Sequence, residues 1–148
     1  MARIKLELPE TGLLAVTQIK VRIDDINYGN HMSNDAYLKY MHEARLQYFA
    51  RMGFSELNLA GTSVIMGDAA IVFKKECHHG DLLQIFAGAA AFSSRSFDIY
   101  YRFLRPADGY VVCEAKTGMV CYNYNLGKTE AVPEIFINKV NHLLASII

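Results

Sequence analysis

A dense group of polar residues in this sequence has the side-chain types that acid–base chemistry requires. The stretch DDINYGNHMS, from Asp24 to Ser33, holds two carboxylates, two amides and one imidazole. Carboxylate and imidazole groups can exchange protons at neutral pH, whereas an amide can only form hydrogen bonds. An ordinary surface loop and a site built at the start of a helix would both account for this composition.

The segment that follows predicts the helix on which such a site would depend. Apolar residues recur at a spacing of three or four, at Ala36, Tyr37, Tyr40, Met41, Ala44 and Tyr48, which is typical of one helix face. We predict that this helix ends near Met52, with Gly53 as its C-cap. Ser33, Asn34 and Asp35 are candidates for the N-cap or first turn, and Asn34 is predicted as a cap rather than a ligand.

The start of that helix can supply one part of a reaction on a carbonyl group. Its first backbone N–H groups have no partner within the helix, and its positive dipole end favours a developing oxyanion. Glu43 is predicted to lie near the border of the buried stripe, where it would serve either as a base or as a structural acid. Arg45 is predicted in an ion pair at a subunit interface or on the surface.

Most of the remaining sequence is predicted to form β-strands. Alternating residues predict a strand over Val16–Ile23. A long strand, bent near Gly67, is predicted from Ser63 to His79, with a turn at Gly80-Asp81. Further strands are predicted in LLQIFAGAAAFSSRSFDIYYRFLR and YVVCEAKTGMVCYNYN, with a turn at PADG between them, and an amphipathic helix is predicted to close the chain through Ile148.

These elements predict an α+β fold in which one domain, residues 1–148, lays a long helix on an antiparallel sheet of about five strands. One helix covers only part of such a sheet, so we expect a homo-oligomer that is a dimer at minimum. Whether two dimers pair into a tetramer remains open. The continuously apolar strands fit coverage on both faces or a subunit interface.

Composition narrows the classes of function. The formal net charge is zero, so no nucleic-acid or membrane partner is predicted. The charged N-terminal residues do not resemble a secretory signal, and the three cysteines lack metal-type spacing, so we expect a reduced cytoplasmic protein. The ECHHG stretch is predicted to be a polar strand end rather than a metal site, because adjacent histidines in a strand point to opposite faces.

The loop and helix together resemble the hotdog-fold acyl-CoA thioesterases of the 4-hydroxybenzoyl-CoA thioesterase type, which are related to the acyl-ACP thioesterases. The motif positions are occupied here by Asp25, Asn27, His31, Asn34, Tyr37, Glu43 and Arg45. Gly80-Asp81, the SSRS segment and Pro133 fall where the family has its strand turn, its serine-containing strand and its final proline. The resemblance therefore extends over nearly the whole chain and implies the hotdog fold and thioester hydrolysis without a cofactor or metal.

The resemblance also implies the site residues. The expected catalytic group comprises Asp25, Asn27, His31 and Glu43, and the expected substrate-binding group comprises Gly29, Asn30, Ser33, Asn34, Tyr37, Ser93, Ser94 and Arg95. Many members carry a carboxylate where this chain has Asn27, and an amide cannot act as base or nucleophile. We expect Asn27 to face substrate, Asp25 to fix the loop, and Asp25, Asp35, Glu43 or Asp68 to supply the acid.

Three functions remain open from the sequence. The first is hydrolysis of an acyl-CoA or acyl-carrier-protein thioester at a site between subunits, with His31 taking the proton or binding the carbonyl. The second is a hotdog protein that binds an acyl thioester or a small ligand without turnover, which Asn27 favours. The third is a dehydratase, although the loop around His31 is more similar to the thioesterase pattern.

Overall fold

The structure, a computed structural model, describes residues 1–146. Its elements in chain order are β1 (Leu14–Lys20), a 3₁₀ turn (Ile23–Asp25), α1 (Asn34–Arg51), β2 (Ser63–Phe73), β3 (Leu82–Ala90), β4 (Ser96–Arg105), β5 (Tyr110–Asn123), β6 (Lys128–Thr129) and α2 (Glu134–Ser146). The predicted continuation of α2 through Ile147 and Ile148 lies outside the described residues.

The strands form one antiparallel sheet in the order β1-β3-β4-β5-β2, and β6 pairs with the end of β5. The α+β prediction is confirmed, but the sheet has six strands rather than five. The sixth is the two-residue β6, which forms because the chain turns back after Asn123 and pairs Thr129 with Tyr122. The bend predicted near Gly67 is confirmed as a register shift between Met66 and Asp68.

Helix α1 lies across one face of the sheet. It begins after Ser33 and ends at Arg51, close to the predicted bounds, and Gly53 follows its C-cap with a φ of 81°. Its buried stripe packs on the sheet through Tyr37, which stacks on Phe103 at 5.8 Å, and through Tyr48, whose hydroxyl accepts the N–H of Ala89 at 3.0 Å. The helix and the sheet face beneath it thus form the main core.

The long strand β2 ends earlier than predicted. It leaves the sheet at Phe73 instead of continuing to His79, because the N–H groups of Lys74 and Lys75 both turn to the carbonyl of Val112. The carbonyl of Cys77 then accepts the N–H of Met32, at 2.7 Å, from the loop before α1. Residues 74–77, which we call the strap, are therefore bonded to the loop that precedes the helix.

Two further expectations concern membranes and metals. No helix within residues 1–146 combines the length and the hydropathy needed to cross a membrane. In the same part of the chain, no three His, Cys, Asp or Glu side chains are grouped so that they could hold a metal ion. The three cysteines are buried free thiols.

Candidate active site

A cleft of about 280 Å³ lies between the start of α1 and the strap. Its lining residues are His31, Met32, Asn34, Tyr37, Phe73, Lys74, Lys75 and Glu76. Three of them, His31, Asn34 and Tyr37, belong to the predicted site. Phe73 and the strap residues were not predicted, although the charged run KKE directly after an apolar strand could have marked the point where that strand leaves the sheet.

The loop from Asn27 to His31 is closed by its own hydrogen bonds. The Asn27 side-chain oxygen accepts the N–H of Gly29 at 2.9 Å, and the Asn27 carbonyl accepts the N–H of Asn30 at 3.0 Å. Asn30 adopts a φ of 62°, a left-handed conformation that asparagine tolerates better than most residues. The oxygen of the Asn27 amide is thus engaged within the loop rather than directed at a substrate.

His31 is held against Gly29 at the edge of the cleft. A Cβ added at Gly29 would lie 3.0 Å from His31 Nε2 and 3.3 Å from Asn27 Oδ1, so glycine leaves the space that the imidazole occupies. His31 Nδ1 lies 3.3 Å from the carbonyl oxygen of Met32. Since a carbonyl can only accept, this contact requires a proton on Nδ1, and in the neutral imidazole the free lone pair then lies on Nε2.

The first turn of α1 contributes Asn34 and Tyr37 to the lining of the cleft. Ser33 is the N-cap, one residue before the predicted Asn34, and its hydroxyl bonds to Asp35 instead of capping the backbone. Asn34 is therefore the first helical residue, and it lines the cleft. Because the N–H at this position has no acceptor within a helix, it is suited to binding a carbonyl oxygen.

Asp25 lies beneath the loop and is only 4% exposed. Lys39 Nζ donates to its carboxylate at 2.5 Å, and the Tyr40 hydroxyl donates at 2.7 Å. Burial alone would raise the pKa of Asp25, but the hydrogen bonds from Lys39 and Tyr40 and the charge of Lys39 outweigh it and lower the pKa below its usual 3.8. The carboxylate is thus a charged anchor between the loop and α1.

Glu43 does not line the cleft. It lies nine residues after Asn34, about two and a half helical turns, and therefore on the opposite flank of α1. Its side chain is exposed and accepts a hydrogen bond from Gln47 at 3.1 Å. The sequence placed Glu43 at the border of the buried stripe, whereas the structure places it in solvent and away from His31.

Arg45 is inside the protein, so the prediction of a surface or interface ion pair is corrected. It is 7% exposed, and its guanidinium donates to Glu56 at 2.7 Å and to the Tyr101 hydroxyl at 3.2 Å. This network ties α1 to the chain segment before β2 and to the sheet. Arg45 therefore stabilises the fold around the helix and does not reach the cleft.

Ser93, Ser94 and Arg95 do not join the cleft within one chain. They form the β3–β4 turn, where Arg95 Nη1 donates to the Thr129 carbonyl at 2.6 Å and the Ser94 carbonyl accepts the N–H of Val132.

The strand register shows how far this turn lies from the cleft. Phe73, at the cleft, pairs with Cys113 on β5, whereas Ser96, which follows Arg95, pairs with Val120. That register separates the two places by seven residues of β5, about 24 Å at ~3.4 Å per residue.

The floor of the cleft is aromatic and unreactive. Tyr37 contacts Phe73 edge-on at 5.0 Å, and burial together with the neighbouring Cys77 raises the pKa of Tyr37 well above its usual value. Burial also raises the pKa of the Cys77 thiol, chiefly because the sulfur is removed from solvent. Both groups therefore stay protonated at neutral pH, and the cleft floor offers an apolar wall rather than a nucleophile.

Comparison with known proteins gives a family-model match and a set of similar structures. The model of the thioesterase-like superfamily matches residues 21–140. The 1,4-dihydroxy-2-naphthoyl-CoA thioesterase of Synechocystis is 19% identical, with a TM-score of 0.77, over 86% of this chain and 95% of the other. The probable thioesterase YbaW of Escherichia coli is 21% identical, with a TM-score of 0.70, over 86% of this chain and 97% of the other.

A third similar structure, a Staphylococcus aureus protein solved in complex with CoA, is 17% identical, with a TM-score of 0.79, over 95% of this chain and 89% of the other. At such identities the likeness of the three structures to this chain shows a shared fold. It supports the hotdog architecture that the sequence resemblance implied.

Proposed function

The chain belongs to the thioesterase-like superfamily and is a hydrolase of thioester bonds, and from this premise we propose that it hydrolyses acyl-coenzyme A in the cleft between α1 and the strap. One observation carries the proposal: His31 and the first residue of α1, Asn34, line the same cleft. A proton acceptor and an oxyanion donor are the two parts that attack of water on a thioester requires.

The proposed reaction follows from the orientation of these groups. The thioester carbonyl oxygen accepts the N–H of Asn34, and the dipole of α1 stabilises the negative charge that develops on it. His31 Nε2 takes a proton from water as the water oxygen bonds to the carbonyl carbon. The carbon–sulfur bond then breaks, and the leaving thiolate takes the proton back from His31.

Coenzyme A is proposed as the acyl carrier for two reasons. A structurally similar protein from Staphylococcus aureus was solved in complex with CoA. In this chain, Lys74 and Lys75 line the cleft. Their ammonium groups contact Glu114 and the Tyr110 ring in the free protein and would turn to the phosphates of a bound carrier. An acyl-carrier-protein thioester presents the same reacting atoms and belongs in the same assay.

The experiment is a thiol-release assay of the purified protein with acyl-CoAs from acetyl to palmitoyl, and with benzoyl- and phenylacetyl-CoA. Release of CoA from at least one of them, at a rate above spontaneous hydrolysis, is the expected result. Binding without release is the second candidate function, and the amide at Asn27 favours it because that position holds no carboxylate. Thermal stabilisation by an acyl-CoA that is never hydrolysed would support this candidate and contradict the first.

The structure also supports a proposed dimer through β2. This eleven-residue strand is an edge of the sheet, and its residues Met66–Ala69 are exposed. A long exposed edge strand is a template for pairing with another strand. On α1, Leu38 and Leu46 are further exposed apolar residues, at 40% and 38%.

Such a dimer would complete the site. If β2 pairs antiparallel with its own copy, the Ser63 end of the partner strand comes beside Phe73 and the cleft. The partner's β3–β4 turn lies at that same end of the sheet, since within each chain the Arg95 carbonyl accepts the N–H of Cys121, and Cys121 pairs with Val64. This is how residues 93–95, distant within one chain, would approach the acyl carrier.

Charge placed on the β2 edge tests the dimer. Met66→Lys combined with Ala69→Lys is expected to convert a dimer into a monomer in sedimentation velocity and to abolish thiol release, because like charges would face each other across the two-fold axis. Ile135→Lys on α2, also at an exposed apolar residue, is the matched control and should remain dimeric and active. A wild-type protein that sediments as a monomer and turns over would contradict the shared site.

A further inference from the structure

We propose that Glu76 is a positioning residue of the cleft, whose negative charge stabilises the imidazolium that forms when His31 takes a proton from the attacking water. The proposal rests on the proposed thioester hydrolysis and assigns a role to a residue outside the loop and helix motif. It also accounts for how a site with an amide at Asn27 can retain an acid.

The other acids near the site are engaged elsewhere. Asp25 is bonded to Lys39 and Tyr40, and Asp35 accepts the Ser33 hydroxyl. Glu43 lies on the opposite flank of α1. Asp68 is held by Lys116 at 2.8 Å and by the N–H of Gly118 at 3.0 Å. Glu76 alone contributes a carboxylate to the lining of the cleft, as far as residues 1–146 are concerned.

The backbone of the strap fixes where Glu76 lies. The Glu76 carbonyl accepts a hydrogen bond from Arg105 Nη1 at 2.8 Å, and the next carbonyl, of Cys77, accepts the N–H of Met32 at 2.7 Å. His31 immediately precedes Met32. The residues that directly precede this bonded pair, Glu76 and His31, both line the cleft.

The two lysines that precede Glu76 on the strap have other partners. Lys74 pairs with Glu114 at 3.1 Å, and the Lys75 ammonium lies over the ring of Tyr110 at 4.5 Å from its centroid. Within the described part of the chain, no cation forms an ion pair with Glu76. Its charge is thus not already neutralised by a protein group.

The role is electrostatic, and the atoms balance without a new covalent bond. Water gives its proton to His31 Nε2, its oxygen bonds to the carbonyl carbon, and the departing thiolate recovers the proton. Glu76 forms no bond and exchanges no proton in this scheme, and its carboxylate favours the step in which His31 is positive. A bound acyl-CoA fills the cleft and displaces water, which strengthens the attraction between the two charges.

The test begins with Glu76→Gln, which removes the charge and keeps the shape. We expect kcat for thiol release to fall about 10- to 100-fold, which is less than the ~10²- to 10⁴-fold contribution of a general base itself, because Glu76 acts through His31. KM and the melting temperature should be unchanged. Glu134→Gln, an exposed acid at the start of α2, is the matched control and should keep wild-type kcat.

A second variant separates a charge effect from a structural one. Asn27 Oδ1 and His31 Nε2 would lie 3.3 Å and 3.0 Å from a Cβ atom added at Gly29, so both atoms are close to this residue. An aspartate at position 27 would therefore place a negative charge beside the imidazole. Its oxygen could still accept the N–H of Gly29. We therefore expect Asn27→Asp, introduced into Glu76→Gln, to restore kcat by about tenfold.

Three outcomes would overturn the proposal while leaving the proposed function intact: wild-type kcat in Glu76→Gln, a change confined to KM, or a loss of kcat that Asn27→Asp does not restore. A wild-type protein that releases thiol from no acyl-CoA would overturn both. The panel of acyl-CoAs with wild-type protein therefore comes first, and the variants are compared on the best substrate.

Discussion

Replacement of His31 by glutamine is expected to lower kcat for thiol release by about 10²- to 10⁴-fold, the usual contribution of a positioned general base. Glutamine can still form a hydrogen bond but cannot take the proton of water. The fold should be retained, because the hydrogen-bonding contact of the imidazole is the 3.3 Å one to the Met32 carbonyl. Steady-state kinetics and a thermal melt on the same preparation provide the measurement.

His142→Gln, at an exposed position on α2, controls for a general effect of losing a histidine. It should match wild type in both kcat and melting temperature. A His31→Gln protein with wild-type kcat would show that the proton goes elsewhere, and the reaction would have to be assigned to another group of the cleft.

Asp25→Asn is expected to lower the free energy of unfolding by about 1.5–3 kcal/mol at neutral pH, the range for hydrogen bonds to a charged group. The carboxylate is 4% exposed and receives donors from Lys39 and Tyr40. An amide would keep part of this hydrogen bonding but would lose the charge that pairs with Lys39. Urea unfolding of both proteins measures the difference.

The pH dependence of this difference has a definite sign. The pKa of Asp25 in the folded protein lies below its usual 3.8, so the folded state favours the carboxylate. The stabilisation is therefore fully present above pH ~3.8 and is lost as the pH falls through the lower folded pKa. Wild type and Asp25→Asn should converge in stability in strong acid, and a constant gap at all pH values would contradict the assignment.

The neighbouring Asp24 offers a matched control. It is an exposed acid that pairs with Arg22 on the protein surface, and exposed ion pairs contribute little to the free energy of unfolding. Asp24→Asn should change the unfolding free energy by less than ~0.5 kcal/mol at any pH. An equal loss in both variants would show that the effect comes from net charge near the loop rather than from the buried carboxylate.

Local sequence signals were sufficient where the answer depends on neighbours along the chain. The helical spacing from Ala36 to Tyr48 and the glycine at position 53 predicted α1 to within a residue of its end at Arg51. The turn at Pro106–Gly109 separates β4 from β5, as predicted. In each case the determining interaction lies within a few residues of the position.

Sequence signals failed where a distant partner decides the outcome. The strand predicted through His79 ends at Phe73 because the N–H groups of Lys74 and Lys75 both bond to the Val112 carbonyl. The Cys77 carbonyl then accepts the N–H of Met32 from the loop before α1. Arg45 was predicted in an ion pair at the surface or at an interface because its partners, Glu56 and Tyr101, lie 11 and 56 residues away. These contacts could not be read from spacing or composition.

The same dependence on distant contacts decides which residues of the candidate site could be predicted. The loop, His31 and the start of α1 are contiguous in sequence and were predicted together, whereas Glu76 reaches the cleft only through the tertiary course of the strap. Glu43 is close to the motif in sequence but half a helical turn away in direction. A sequence motif located the cleft, and only the structure separated the acids that line it from those that do not.

The most direct test of the central claim is thiol release by the wild-type protein across acyl-CoAs from acetyl to palmitoyl, with benzoyl- and phenylacetyl-CoA included. Turnover of at least one substrate, lost in His31→Gln while the fold is intact, is the predicted result. Absence of turnover across the whole panel, or turnover that persists unchanged in His31→Gln, would contradict hydrolysis by His31 at the start of α1.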